Sequence, residues 1–162
     1  MIDMRFSTAV QVVLSVALAE HDDFRCTSKM LAEGLGTNPS LIRKLLMPLS
    51  RDGLLRPSVG KGGGLRLGRA ADRITLRDVY QSVTENKAIL AIRDNIPRRC
   101  RISANINEFF DTVTGEAERA MLGTLQRRTI AESLADILRL DERRRSRRRT
   151  GSQALRAVRE TA

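Results

Sequence analysis

Residues 27–67 constrain the fold of this chain most, because two helix signals and a glycine-rich hairpin follow one another within them. Asn38 and Pro39 together predict a helix start, as a side-chain N-cap followed by a proline at the first helical position. Gly53 predicts where this second helix ends. Apolar residues at three- and four-residue steps predict its buried face: Leu41, Leu45, Leu46 and Leu49.

The same helix has a polar and basic face. Helical spacing leaves four of its side chains to face outward: Ser40, Arg43, Lys44 and Arg51. Beyond Gly53, residues 54–56 and 65–67 alternate like two short strands around the loop PSVGKGGG. A basic helix beside a flexible basic hairpin is the layout of a winged helix-turn-helix, in which the helix fits the major groove and the wing reaches phosphates or the minor groove. We therefore predict a mainly α fold with a small β wing, and double-stranded DNA as the partner.

The net charge of +10 and the sequence pI near 11.0 also favour an anionic partner, with nucleic acid as the first candidate. The charge is unevenly distributed. Residues 139–162 hold nine arginines against three acidic residues, a net of +6, which leaves +4 for the rest of the chain. Aromatic residues make up only 3% of the sequence, so recognition of RNA by base stacking is disfavoured.

Two cysteines, Cys26 and Cys100, are too few for a disulfide scaffold and suggest a reducing compartment. The apolar segment near the N-terminus lacks the positive charge that opens a signal peptide, because Asp3 offsets Arg5. Its apolar residues instead fall on one helical face: Val10, Val13, Leu14, Ala17 and Leu18. No apolar run is long enough to span a membrane, so we expect a cytoplasmic protein with no membrane partner.

Capping signals divide the chain into helices. Ser7 or Thr8 is expected to cap the first helix, and Thr27 a short helix whose Met30, Leu31 and Leu35 point inward. The caps expected for the later helices are Thr75, Ser103, and Thr129 in a capping box with Glu132. These signals give four regions: a winged domain at 1–84, a linker and candidate sensing loop at 85–102, dimerisation and C-terminal helices at 103–140, and an Arg-rich tail at 141–162.

A long amphipathic helix is predicted after residue 103. Its apolar stripe includes Ile106, Phe109, Phe110, Val113, Ala117 and Met121. A helix of this length after a compact domain often packs against a second subunit, so we expect these residues to mediate dimerisation.

The quoted segments resemble the winged-helix transcriptional regulators that include IscR and NsrR. MRFSTAVQVVLSVALA is similar to the opening helix of that family, residues 27–69 to its helix-turn-helix and wing, and TIAESLADIL to its C-terminal helix. The resemblance covers about residues 4 to 138. It implies a homodimer, with the long helix as the dimer seam, on a roughly palindromic operator.

The sequence departs from this family at three places. Well-studied members bind an iron–sulfur cluster through three cysteines between the wing domain and the long helix, where this chain has Cys100 alone. The resemblance is thus to a branch without a cluster, and we expect no cofactor. Val59 stands where an arginine is common before the wing glycines, with Lys61 as the nearby cation, and Leu65 stands where an aromatic residue is frequent.

Each candidate DNA contact has a simpler alternative. The recognition-helix candidates are Ser40, Leu41, Arg43, Lys44 and Arg51, and their alternative is an ordinary helix with a solvated charged face. Ser28 and Thr37 stand near helix starts, where hydroxyls either donate to phosphates or cap the helix. Lys61, Gly62 and Gly63 form either a wing tip that contacts DNA or a plain hairpin loop.

Cys100 is the candidate sensing residue. The neighbouring Arg98, Arg99 and Arg101 are expected to lower its thiol pKa, although an inert residue at the dimer seam fits equally well. His21 is the only histidine, and no catalytic arrangement accompanies it, so we do not expect an enzyme. The function predicted is a sequence-specific regulator of transcription, a repressor switched at Cys100. A regulator with a small-molecule effector, and a constitutive DNA-binding protein, remain open alternatives, and the effector is unknown.

Overall fold

The computed structural model describes residues 4–58, 63–85, 96–97 and 99–160, with side chains as far as residue 147. Within these residues the chain is mainly helical, with one antiparallel two-stranded sheet. The elements are α1 (Arg5–His21), α2 (Ser28–Gly34), α3 (Pro39–Arg51), β1 (Leu55–Ser58), β2 (Gly64–Leu67), a short 3-10 helix (Ala71–Arg73), α4 (Leu76–Thr84), α5 (Arg101–Gln126) and α6 (Ile130–Glu160). None of the described helices is long and apolar enough to cross a membrane.

The helix α1 lies at the centre of the core. It contacts α4, α6 and β2, so it is covered from several directions. Val12 and Val16, which lie outside the predicted apolar face, are therefore fully buried, whereas the predicted Val10 and Leu18 are only partly buried. The single apolar face expected for this helix was too narrow, because the chain surrounds the helix with elements distant in sequence.

Most of the predicted caps are confirmed. Thr27 accepts a hydrogen bond from the Met30 backbone N–H, and the Asn38 side chain accepts one from that of Ser40. Two of the predicted caps form reciprocal capping boxes, and their pairs are Thr75 with Asp78 and Thr129 with Glu132.

Two predicted caps are wrong. Helix α1 begins at Arg5 without a side-chain cap, because the hydroxyls of Ser7 and Thr8 donate to the Met4 carbonyl instead. Helix α5 is capped by Cys100, and Ser103 is the third helical residue of that capping box.

Helices α2 and α3 form the helix-turn-helix. The turn between them places Gly36 at a φ of +58°, where a residue without a side chain is unstrained. Ile42 is fully buried together with Leu45 and Leu49, whereas the predicted Leu41 and Leu46 are half-buried. Met30 of α2 was expected to point inward and is instead exposed.

The wing hairpin is held to the body of the domain. Its strands pair in the register Leu55 opposite Leu67 and Ser58 opposite Gly64. The Leu67 N–H donates to a Glu20 carboxylate oxygen at 2.8 Å. This bond fixes the base of the wing to the end of α1.

The chain returns to the core after α5. An isolated bridge pairs Thr75 with Thr129, and the Ile130 N–H donates to the Ile74 carbonyl at 2.8 Å. This bridge places Ile130 and Leu134 in the core, beside α1. The helix α6 is continuous from Ile130 to Glu160, so it extends past residue 140 into the Arg-rich tail.

Candidate nucleic-acid interface

The orientation of α3 is set by its buried side. Ile42, Leu45 and Leu49 are fixed in the core, and this leaves Ser40, Arg43 and Lys44 exposed. Arg43 and Lys44 form no ion pair with any residue that the structure describes. Their charges are therefore available to an external anion, as the exposed-face prediction required.

Arg51 differs from these two cations. Its guanidinium donates two hydrogen bonds to the Asp52 carboxylate, at 2.8 and 3.2 Å. This hydrogen-bonded pair raises the pKa of Arg51 and lowers the pKa of Asp52. Because Asp52 already neutralises this guanidinium, Arg51 is a weaker candidate for a phosphate contact than Arg43 or Lys44.

The three remaining helix-turn-helix candidates occupy different environments. The Ser28 hydroxyl is exposed and makes no hydrogen bond within the described part of the chain, since Thr27 provides the cap. Thr37 is half-buried, and its backbone N–H donates to the Ala32 carbonyl. Leu41 packs partly against the core, so any contact it makes with DNA is apolar.

The wing approaches the loop between α1 and α2 very closely. The Leu65 N–H donates to the Cys26 carbonyl at 2.7 Å, and the Arg25 guanidinium donates to the Gly63 carbonyl. A Cβ atom on Gly64 would lie 2.4 Å from the Cys26 carbonyl oxygen, which is too close for any other residue. At least one of the consecutive wing glycines therefore has a packing reason. Lys61 and Gly62 lie outside the described residues.

Sequence reasoning missed these anchors of the wing. Arg25 and Gly63 are 38 positions apart, so no local pattern links them. Gly64 is the third consecutive glycine, but the two interpretations considered for this loop, a wing tip that contacts DNA and a plain hairpin, did not include a packing role.

An uncovered apolar surface follows α5. No residue of this helix is buried in the single chain. Phe109 is 60% exposed and packs edge-to-face on the exposed Phe110, with ring centroids 5.7 Å apart. The other predicted seam residues are the exposed Val113 and Ala117 and the half-buried Ile106 and Met121.

Cys100 is exposed at the N-terminus of α5. The Ser103 backbone N–H donates to its Sγ atom at 3.4 Å, and the Ser103 hydroxyl lies 3.4 Å from the same atom. Hydrogen bonding by the Ser103 side chain, and then by the backbone, lowers the pKa of Cys100. The predicted direction is thus the same as in the structure, and among the described residues its first cause is the capping box with Ser103.

Cys26 contrasts with Cys100. Its side chain is only 5% exposed, and burial raises the pKa of its thiol. The two free thiols therefore differ in both access and acidity.

The helix-turn-helix, the tethered wing and the unpaired cations on α3 together define a winged-helix DNA-binding protein. The chain belongs to the Rrf2 family, described as an iron-dependent transcriptional regulator, which matches residues 2–136. It is thus a transcriptional regulator and not an enzyme, and the resemblance to IscR-type regulators is confirmed.

Individual relatives agree with this assignment. YwnA of Bacillus subtilis, named as an HTH-type transcriptional regulator, is 25% identical over 138 residues, which are 85% of this chain and 97% of YwnA. A crystal structure of a transcriptional regulator from Lactobacillus plantarum is 29% identical with a TM-score of 0.68, and covers 88% of this chain and 98% of its own. IscR from T. potens, at 18% identity and a TM-score of 0.63, shares the fold over 85% of this chain and 88% of its own.

The family description implies iron, which requires ligands from the side chains of the protein. An iron–sulfur cluster is held mainly by several cysteine thiolates. Cys100 is exposed on a helix cap, whereas Cys26 is buried in the core. Among the described residues, no three His, Cys, Asp or Glu side chains come together as a metal site. This donor set does not fit a thiolate-ligated cluster.

Proposed function

We propose that this protein is a homodimeric repressor that binds a palindromic DNA operator through α3. The observation that carries the proposal is the exposure of Ser40, Arg43 and Lys44 on a helix whose opposite side is fully buried. Such a helix presents its N-terminal side chains to base edges in the major groove. The tethered wing supplies a second contact to the same duplex, and no iron–sulfur cluster takes part.

Selection of bound duplexes from a random DNA pool, at about 150 mM salt, tests this proposal. The expected result is enrichment of an inverted repeat, because two-fold symmetry of the protein is mirrored in the operator. Retention of every sequence with equal efficiency would refute a specific regulator. A reporter gene under the selected operator distinguishes repression from activation.

The dimer in this proposal rests on the uncovered apolar stripe of α5. We expect the wild-type protein to sediment at twice the 18.1 kDa of one chain. Replacing Phe109 with glutamate places a charge in the seam and is expected to weaken dimerisation at least about tenfold. Analytical ultracentrifugation over a concentration series measures the effect. Glu108→Gln is the control on the exposed adjacent position, and equal dimerisation of both variants would contradict the seam.

A thiol switch at Cys100 completes the proposal. The lowered pKa increases the thiolate fraction near neutral pH, and the thiolate is the form that attacks an oxidant. Attack on hydrogen peroxide gives a sulfenic acid and hydroxide. Because Cys100 caps α5, oxidation of its sulfur would disturb the capping box with Ser103 and the start of the dimer helix.

The Cys100→Ser variant is expected to retain operator binding after mild peroxide treatment, whereas wild type releases the operator. Alkylation of wild-type Cys100 is expected to have its pH midpoint below that of an unperturbed thiol, because its pKa is lowered. Buried Cys26, whose pKa is raised, is expected to react only at higher pH and more slowly. Fluorescence anisotropy and mass-resolved alkylation measure these effects. Cys26→Ala serves as the control, and release of Cys100→Ser by peroxide would refute the switch.

A second candidate is regulation by a small molecule without thiol chemistry. A cavity of about 530 Å³ lies between α1, α2 and α6, a size within the range of ligand pockets. Its lining is mainly apolar and includes Leu14, Phe24 and Met30. Operator binding that is insensitive to peroxide but changed by an apolar ligand would favour this candidate.

A further inference from the structure

The helix α6 changes character after it leaves the core. Its first turns are buried against α1, at Ile130 and Leu134. From Glu142 to Arg147 every side chain is exposed. The arginine segment, residues 143–149, contains six arginines and one serine, and it lies beyond the residues matched by the family. The domain fold therefore does not account for this segment.

The arginine segment lacks its own counter-charges. Among the described side chains, Arg145 pairs with Asp141 at 2.7 Å, whereas Arg143, Arg144 and Arg147 form no ion pair. Arg143 and Arg147 are also four positions apart on the helix, and like charges at that spacing destabilise it. An external polyanion would both neutralise these charges and stabilise the helix.

Charge density identifies the polyanion. Asp141 neutralises Arg145, so five charges remain in these seven helical residues. They amount to one positive charge per about 2.1 Å, at a rise of about 1.5 Å per residue. Duplex DNA carries one negative charge per about 1.7 Å of its axis. Consecutive helical residues lie about 100° apart, so Arg143, Arg144 and Arg145 face different sides of the helix. This arrangement suits phosphates rather than a single row of base edges. No aromatic residue follows Phe110, so the segment has no side chain on which single-stranded bases stack.

We infer that the arginine segment is a second DNA-binding surface, which contacts the phosphate backbone of duplex DNA independently of sequence. It adds to the reading of the operator by α3 and does not replace it. The segment thereby raises the affinity for every duplex, and the salt dependence of binding is the property that reports it.

The test compares two triple variants of the full chain. One carries Arg143→Gln, Arg144→Gln and Arg147→Gln, because glutamine preserves helix propensity. The matched control removes three exposed arginines elsewhere, through Arg73→Gln, Arg119→Gln and Arg127→Gln. Binding of an unrelated duplex is measured from about 50 to 200 mM salt, and circular dichroism checks the helix content.

The slope of log affinity against log salt is expected to fall by about 0.9 for each phosphate that the protein no longer neutralises, or about 2.7 for each DNA-bound chain of the first variant. The control slope is expected to match wild type. Equal slopes for wild type and the first variant would overturn the inference, as would an equal fall of the slope in the control variant. A competition experiment gives a further test. If single-stranded RNA displaced the bound duplex at a lower concentration than unlabelled duplex does, the inference would also be overturned. Selection of duplexes from a random pool with the wild-type protein separates this inference from the operator proposal. If no inverted repeat is enriched, the operator proposal is refuted, whereas the comparison of salt slopes still tests the arginine segment.

Discussion

Replacing Arg43 with alanine is expected to reduce affinity for the selected operator roughly 5- to 150-fold, the effect of removing a bidentate arginine–guanine pair worth about 1–3 kcal/mol. Arg43 is exposed, near the start of α3, and forms no ion pair within the described structure. Its removal therefore costs little in folding. Fluorescence anisotropy on the operator and on an unrelated duplex measures the change in both affinities.

Comparison of the affinities for the two duplexes shows whether Arg43 contacts a base or a phosphate. A base contact lowers operator affinity much more than affinity for the unrelated duplex, whereas a phosphate contact lowers both equally. Arg73→Ala removes one exposed positive charge from the short 3-10 helix and controls for net charge. Unchanged operator affinity in Arg43→Ala would mean that the exposed face of α3 does not read the operator, and the proposed function would fail with it.

Local signals in the sequence predicted the framework of the domain. Asn38, Thr75 and Thr129 each act on backbone groups two or three residues away, so their neighbours suffice to identify them. The exposed face of α3 was also predictable, because helical periodicity assigns Arg43 and Lys44 to the side opposite the leucines.

Contacts between distant segments were not predictable from local pattern. Val12 and Val16 are buried because α4, α6 and β2 surround α1, and no property of the α1 sequence encodes those neighbours. The approach of Gly64 to the Cys26 carbonyl has the same origin. In α3 the predicted apolar stripe omitted Ile42, which is buried, and included Leu41 and Leu46, which are half-buried. Six apolar residues in this helix allow more than one azimuth.

The candidate site illustrates the same division. The position of Cys100 led to the hypothesis that it is a sensing residue. Its role as the cap of α5 was missed, since serine is a preferred cap residue and Ser103 was nearby. Arg51 and Asp52 are neighbours in sequence, but their ion pair was not predicted. Helical periodicity indicates only which face of the helix a residue occupies. Only the three-dimensional structure shows that Asp52 competes with a DNA phosphate for the charge of Arg51.

Replacing Ile42 with alanine is expected to lower the free energy of unfolding by about 2–5 kcal/mol, the usual cost of deleting a large buried aliphatic side chain. Ile42 is 0% exposed and adjoins Arg43 in sequence. Thermal unfolding at one fixed protein concentration is expected to show a fall in Tm of roughly 2–4 °C per kcal/mol for a chain of this size. Met47→Ala, on the same helix with 73% of the side chain exposed, is expected to change stability by no more than about 0.5 kcal/mol. If Ile42→Ala were as stable as Met47→Ala, the azimuth of α3 would be wrong, and with it the face assigned to DNA. Ile42→Ala and Arg43→Ala together test the two faces of α3. The first is expected to lower the stability of the domain, and the second to lower its affinity for the operator.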